Sequence, residues 1–287
     1  REQKPAKRIE SKVTLPTLQP APFAAIREAA GRAFWCTLDG NDEKAKRVLP
    51  PEWVIATLQA RANWPQLPNV EMVTECPTLR RNGTVVAEPG YDETSGVYLI
   101  PNAAYPAVPM NPTAEQVEAA IAAIDDVFVD VPFERPEHRG AAFAAILTLL
   151  GRDTFEGPAP CFVVEATKAG SGKDQLVRLI SIIGTGSEPF SSQFTEDQAE
   201  QRKALTSIAM AGIRVVLYGN VETDNDGLGF GGAALCDALT TTKWSDRVLG
   251  FNRNWSGELK AVFFATANIM LIAKDLARRG FSIRIDW

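Results

Sequence analysis

Between Cys161 and Ile183 the chain reads CFVVEATKAGSGKDQLVRLISII, and Ala169, Gly170, Ser171, Gly172 and Lys173 are its residues best suited to chemistry. Closely spaced glycines leave backbone N–H groups uncovered, and a lysine beside them adds positive potential, a combination that suits a phosphate. The apolar run Cys161 to Val164 has the length and branching of a buried strand, and a helix-period run covers Gln175 to Ile183. A glycine-rich turn between such elements delivers its amides to a helix N-terminus, where the dipole also favours an anion. Two positions depart from the pattern G-x-x-x-x-G-K-[ST]: Thr167 stands at the first glycine and Asp174 at the metal-binding hydroxyl. The alternative is a surface turn of small residues, against which the flanking strand and helix argue.

A phosphate cradle needs further groups to become a catalyst. Ile213 to Tyr218 reads as a second buried strand, whose end should carry a magnesium-holding carboxylate and a group to orient water. Gly219 and Asn220 occupy those places, and the nearest acids are Glu222, Asp224 and Asp226. The run Glu222-x-Asp224-x-Asp226-Gly227 resembles a calcium loop, but Ala233 stands where the closing Glu is required, which excludes it. Gly227 to Gly232 follows no strand directly and reads as a loop rather than a dinucleotide fingerprint. Asn268, polar at the end of the apolar run Leu259 to Phe264 and its Ala265 Thr266 Ala267 extension, either bonds a γ-phosphate or its water, or closes a strand-end turn. Arg278 and Arg279 either favour a helix C-terminus or reach a neighbouring subunit's phosphate. Lys243, Arg247 and Arg253 form a focused basic group that is either a nucleic-acid contact or a solvated rim.

Composition narrows the classes. At 287 residues and 45% hydrophobic the chain buries a full core and is expected to form two domains. Its net charge of −5 excludes a broad basic face. From residue 160 onward 14 basic residues balance 14 acidic ones, so the deficit lies in the first 159. Cys36, Cys76, Cys161 and Cys236 have neither zinc-ligand spacing nor a disulfide pattern, which fits a reducing cytoplasm. No apolar stretch reaches membrane-span length, and the charged start has no signal core behind it, so a soluble intracellular protein without a membrane partner is expected. A start without Met and an end on a strand-like run suggest part of something longer.

Residues 1 to about 22 read as a flexible lead, followed by a short helix from Pro22 to Arg32 and a strand-like Ala33 to Cys36. Pro50 and Pro51 open a helix over Glu52 to Ala62. Extended runs Val70–Thr74, Pro77–Val86 and Gly96–Ile100 follow, with Asn82-Gly83 marking a hairpin and Gly90 to Thr94 a turn. Arg80 and Arg81 near that hairpin tip either touch nucleic acid or, as exposed hairpin charges more commonly do, only solubilise the chain, which is the favoured reading. Prolines 101, 106, 109 and 112 mark a boundary between an α+β module at 1–112 and a second domain at 113–287. Thr113 with Gln116 makes a capping box for a helix to about Asp126, and Thr195 with Gln198 another for a helix to about Met210. A buried helix spans Gly140 to Leu150, and His138, the single histidine, is placed in a polar surface turn before it. Ala233 to Leu239 is a helix, a hairpin lies around Asn252 to Gly257, and a last helix runs from Ile272 to Arg279. The alternation of strand and helix predicts an α/β fold with a parallel sheet.

The stretches PTLRRNGTVVAEPGYDETSGVY, TKAGSGKD, VVLYGN, LCDALTTTKWSDRVLG and FFATAN followed by DLARR resemble, in this order, the ATPase part of virus and prophage primase-helicases, superfamily 3 within the AAA+ group. The resemblance implies a P-loop AAA+-like parallel sheet flanked by helices, with ATP and Mg2+ as cofactors. It implies that the 169–175 loop, including Asp174 and Gln175, holds the nucleotide and that Lys173 binds the β- and γ-phosphates. Asn268 would act as sensor, Glu222 as the nearest candidate for catalytic carboxylate, and Arg278 or Arg279 as the arginine completing the adjacent subunit's site in a ring, a homo-hexamer. Lys243, Arg247 and Arg253 would contact single-stranded DNA in the pore, and a primase domain or protein is an expected partner in a bacterial host's cytoplasm. The family's hydroxyl is Asp174 here and its strand-end Asp is Gly219, so Asp174 is expected to supply the metal-binding oxygen. Besides the helicase, the residues admit a nucleotide-binding ring or clamp that does not hydrolyse, and a small-molecule phosphotransferase for which no acceptor pocket is visible.

Overall fold

The computed structural model describes residues 35–38, 45–48, 51, 53–54, 70–168, 170–222, 229–248, 254–268 and 270–286. By compactness the chain divides into one unit at Leu15–Asn69 and another that contains Val70–Trp287. In the smaller unit β1 (Trp35–Leu38) pairs antiparallel with β2 (Ala45–Val48). Trp53 and Val54 are helical, and the Val54 amide donates to Pro51 O at 3.0 Å, as expected where proline opens a helix. The lead, the Pro22–Arg32 helix and most of the Glu52–Ala62 helix lie outside the described residues.

The larger unit begins with short strands: β3 (Met72–Thr74), β4 (Thr78–Leu79), β5 (Val85–Val86), β6 (Gly90–Asp92) and β7 (Val97–Leu99). Strands β4 and β5 form the hairpin expected at Asn82-Gly83, where Gly83 takes a φ of +80°. Strand β7 pairs with β3 in parallel and with β6 antiparallel. The stretch read as a turn from Gly90 is therefore a strand in its first three residues. Arg80 explains this: its guanidinium grips Asp92 through Nε at 3.0 Å and Nη2 at 2.8 Å, and the Ser95 amide donates to the same carboxylate at 3.0 Å. Arg80 is thus a structural clamp rather than a solubilising charge, whereas Arg81 meets Glu156 on the surface. The proline-marked stretch 101–112 is exposed throughout.

The remaining elements are α1 (Ala114–Val127), α2 (Pro136–Leu150), β8 (Cys161–Ala166), α3 (Lys173–Thr185), β9 (Phe190–Ser192), α4 (Gln198–Ala211) and β10 (Val215–Tyr218). They are followed by α5 (Ala233–Ala238), β11 (Trp244–Arg247), β12 (Asn254–Gly257), β13 (Val262–Ala267), α6 (Lys274–Ala277) and β14 (Gly280–Ile285). The capping box at Thr113 is present with both of its bonds. The second is not: Asp197 caps α4 by accepting from Ala199 N and Glu200 N, a shorter carboxylate reach that displaces Thr195. Pro136 starts α2 four residues before Gly140, which turns His138 inward. His138 is buried, with Nδ1 3.1 Å from Ser282 O on β14, so it is not a surface residue. The last helix is shorter than expected, since only Lys274–Ala277 keeps the α conformation.

Strands β14, β8, β13, β10 and β9, in that order, form one all-parallel sheet. Alternate residues of each strand enter different cores. Phe162, Val164, Val215, Leu217, Val262 and Phe264 pack with α2 and α3, while Cys161, Val163, Val216, Tyr218 and Phe263 pack with α4 and α5. Both sheet faces are therefore covered, which is why β8, β10 and β13 read as nearly continuous apolar runs. Among the described residues no helix is long and apolar enough to cross a membrane.

Candidate functional site

The carboxyl ends of the three central strands carry the site. Register sets their levels: Ala267 lies beside Glu165 and Tyr218 beside Ala265, so the residues after Ala166, Ala267 and Tyr218 emerge on one edge of the sheet. Ligands of open α/β sheets bind at such an edge. Beyond β8 the chain turns through Gly170 and Gly172, whose φ values of +73° and +76° lie in the left-handed region, and a Cβ on either would meet open space. Glycine is used there for backbone conformation, not for lack of room. Gly172 is also the N-cap of α3 and offers no side-chain bond, so the first amides of a 13-residue helix are left for another acceptor.

Lys173 is the first residue of α3 and is 7% exposed. Its Nζ donates to Asn268 Oδ1 at 2.8 Å, Ser171 Oγ at 3.1 Å and Lys168 O at 3.3 Å. Burial holds its pKa below the ordinary lysine value, and the neighbouring Asp174 charge partly offsets this. The ammonium is therefore a desolvated cation surrounded by neutral oxygens at the mouth of a helix. Asn268, the strand-end residue expected to sense a phosphate, is exposed and already in contact with it.

Asp174, one position further, turns toward β13 and β10. Its Oδ1 accepts from Thr266 Oγ1 at 2.6 Å, and Thr266 Oγ1 accepts from the Asn220 amide at 2.8 Å. A Cβ built on Gly219 would stand 3.5 Å from Asp174 Oδ2. Asn220 has a left-handed φ of +48°, and its Nδ2 donates to Glu222 Oε1 at 3.5 Å. Lys173, Asp174, Thr266, Gly219, Asn220 and Asn268 thus form one continuous cluster, with Glu222 at its rim. The exposed carboxylate of Asp174, oriented by the buried Thr266 hydroxyl, is a hard donor that suits Mg2+, which takes one or two carboxylates and fills its remaining positions with phosphates and water. No family model and no curated protein matches the chain.

Two groups of expected residues lie elsewhere. Arg278 and Arg279 precede β14, and the Cys161 amide at the start of β8 donates to Arg279 O at 3.0 Å. They stand at the amino end of the sheet, about 20 Å of strand from the cradle. There they line a surface cavity of ≈ 380 Å³ with Pro158, Leu239 and Phe281. Both are tied to Asp275, Arg278 through its carboxylate at 2.9 Å and Arg279 through its carbonyl. Lys243 and Arg247 are exposed at the two ends of β11, which pairs with β12. That hairpin is anchored on α4: Trp244 is buried, its Nε1 donates to Thr206 Oγ1 at 2.9 Å, and the Arg202 guanidinium lies over its ring. Ala169, Asp224, Asp226 and Arg253 fall outside the described residues, and Gln175 is exposed on the first turn of α3.

Thr266 and Glu165 were not singled out from sequence. Glu165 is 7% exposed near the end of β8; it accepts from Met270 N at 3.1 Å and Ser282 Oγ at 3.1 Å, pinning the turn that carries Asn268. Each is a lone polar residue inside an apolar strand run, and that was the available signal, since a polar side chain enters a core only with partners.

Proposed function

We propose that the chain is the ATPase part of a ring-forming DNA helicase or translocase of a phage or prophage replication system, with a P-loop AAA+-like fold. The observation that carries this reading is the meeting of Lys173 and Asn268 across the adjacent ends of β8 and β13, beside the open amides of α3. In the proposed chemistry the amides from Gly170 to Lys173 and the Lys173 ammonium hold the phosphate tail of ATP. Asn268 exchanges its contact with Lys173 for one to the terminal phosphate or its water. Asp174, oriented by Thr266, would hold Mg2+, which when bound supplies charge neutralisation at the phosphates. In this reading Arg278 and Arg279, which are remote from their own cradle, serve a neighbouring copy, and Lys243 and Arg247, exposed at the two ends of β11, contact single-stranded DNA together with Arg253.

A second reading is favoured by one specific observation: Gly219 leaves the end of β10 without a carboxylate, and Glu222 engages Asn220 instead. The chain would then bind nucleotide without turnover, as a ring or clamp. Steady-state ATP hydrolysis with and without single-stranded DNA separates the two. DNA-stimulated turnover abolished by Lys173→Ala is expected for the motor; tight nucleotide binding without turnover indicates the clamp; absence of both refutes the nucleotide reading.

A further inference from the structure

Among known cradles of the G-x-x-x-x-G-K-[ST] kind, a hydroxyl follows the lysine. Here a carboxylate occupies that place, and glycine occupies the strand end where a carboxylate is expected. Tertiary contacts relate the two changes. The Asp174 side chain leans away from the helix axis toward β10 until its Oδ2 stands within van der Waals reach of where a side chain on Gly219 would begin, at 3.5 Å. A carboxylate carried by residue 219 would start its path 3.5 Å from that oxygen. A hydroxyl stands against this carboxylate, that of Thr266 on the strand between them. Thr266 is fully buried, is held by the Asn220 amide at 2.8 Å, and donates to Asp174 Oδ1 at 2.6 Å. That bond orients the carboxylate and leaves Oδ2 with no hydrogen bond among the described residues.

We propose that Asp174 and Gly219 are an exchanged pair: the carboxylate that holds the divalent cation of a bound nucleoside triphosphate has moved from the end of β10 to the first turn of α3, where the buried Thr266 hydroxyl on β13 orients it. The proposal rests on the nucleotide reading above. The site keeps a single carboxylate, so its charge is unchanged. Asp174 is exposed, which gives a cation access. Among the described residues no group of three or more acidic, histidine or cysteine ligands exists, so a cation there depends on phosphates and water to complete its shell. In the absence of the cation the Asp174 charge opposes the phosphates, so affinity for the nucleotide is coupled to the metal.

The test measures binding of ATPγS to the full chain by isothermal titration calorimetry, in magnesium and in EDTA, for wild type, Asp174→Asn, Gly219→Asp and the double variant Asp174→Ser/Gly219→Asp. Wild type is expected to bind at least about tenfold more tightly with magnesium, a factor equal to about 1.4 kcal/mol. Asp174→Asn keeps an oxygen for Thr266 and so keeps the fold, but its magnesium and EDTA affinities converge. Gly219→Asp brings two carboxylates together and weakens binding in EDTA below wild type, while the double variant regains the magnesium preference that Asp174→Asn lacks. Electron paramagnetic resonance of Mn2+ with ATPγS provides a direct readout, with the protein-bound signal lost in Asp174→Asn and recovered in the double variant. Uptake of nucleotide with a magnesium preference that Asp174→Asn leaves intact overturns the exchange alone. Absence of uptake by wild type in both buffers overturns the nucleotide reading and the exchange with it.

Discussion

Replacing Lys173 by methionine separates ligand binding from folding. Lys173 is a buried residue, and the acceptors of its ammonium are a carbonyl, a hydroxyl and an exposed amide, none of them charged. Methionine keeps the apolar stem and removes a cation whose burial is unfavourable in the free protein, as its lowered pKa indicates. Water can replace the ammonium at Asn268, so the folding free energy should change by no more than about 1 kcal/mol. Binding responds differently. An ammonium about 4 Å from one phosphate charge contributes about 4 kcal/mol at an effective dielectric near 20. That corresponds to about a thousandfold in Kd. Calorimetric titration with ATPγS reads the affinity directly, and thermal unfolding with and without nucleotide reads it through linkage, since a ligand of the native state raises the midpoint. Wild type should gain stability with nucleotide; Lys173→Met should show the unliganded midpoint in both conditions. Retention of affinity within about threefold would falsify the cradle. Loss of several kcal/mol in the unliganded variant would instead make Lys173 a structural strut.

Three further outcomes follow from the same geometry. Glu165→Ala strands the buried Met270 amide and should cost about 1–3 kcal/mol in urea unfolding, whereas Glu165→Gln retains an acceptor and should stay within about 1 kcal/mol of wild type; equal losses would contradict the pinning role. Arg278→Ala with Arg279→Ala should leave nucleotide affinity within about threefold of wild type because both stand about 20 Å of strand from the cradle, while lowering turnover in mixed assemblies with wild type; a fall in affinity of the isolated chain would sink that placement. Asp92 is held well below the usual carboxylate range by the Arg80 guanidinium and by Ser95. A depressed folded pKa contributes stability above the unfolded value, near 4, and that contribution is lost as pH falls through the acidic range. Asp92→Asn should therefore be less stable at neutral pH and show a flatter stability profile below about pH 4, which urea unfolding across pH would reveal; parallel profiles would refute the clamp.

Much of the cradle was legible because it is local. A buried strand, two left-handed glycines, a lysine and a helix start are consecutive residues, and each conformation follows from its own side chain or the lack of one. The apolar runs of β8, β10 and β13 announced a doubly covered parallel sheet for a similar reason, since burial on both faces removes the alternation a half-exposed strand would keep. The Thr113 capping box rests on contacts three residues apart, and the Asn82-Gly83 hairpin on pairs six and eight residues apart.

What local reasoning missed depends on partners far along the chain. His138 looked like part of a polar turn, and only β14, 144 residues later, turns it into a core residue. Arg80 looked like a tip charge until Asp92 is brought beside it. Thr266 is an ordinary member of an apolar strand until the register of β13 sets it between Asp174 and Asn220. The sequence by itself determined the glycine turn, the lysine and the helix start that follows them, and that a parallel sheet would carry them. Only the tertiary structure decided that the carboxylate of α3 reaches the end of β10, because strand order and register are set by packing the whole sheet at once.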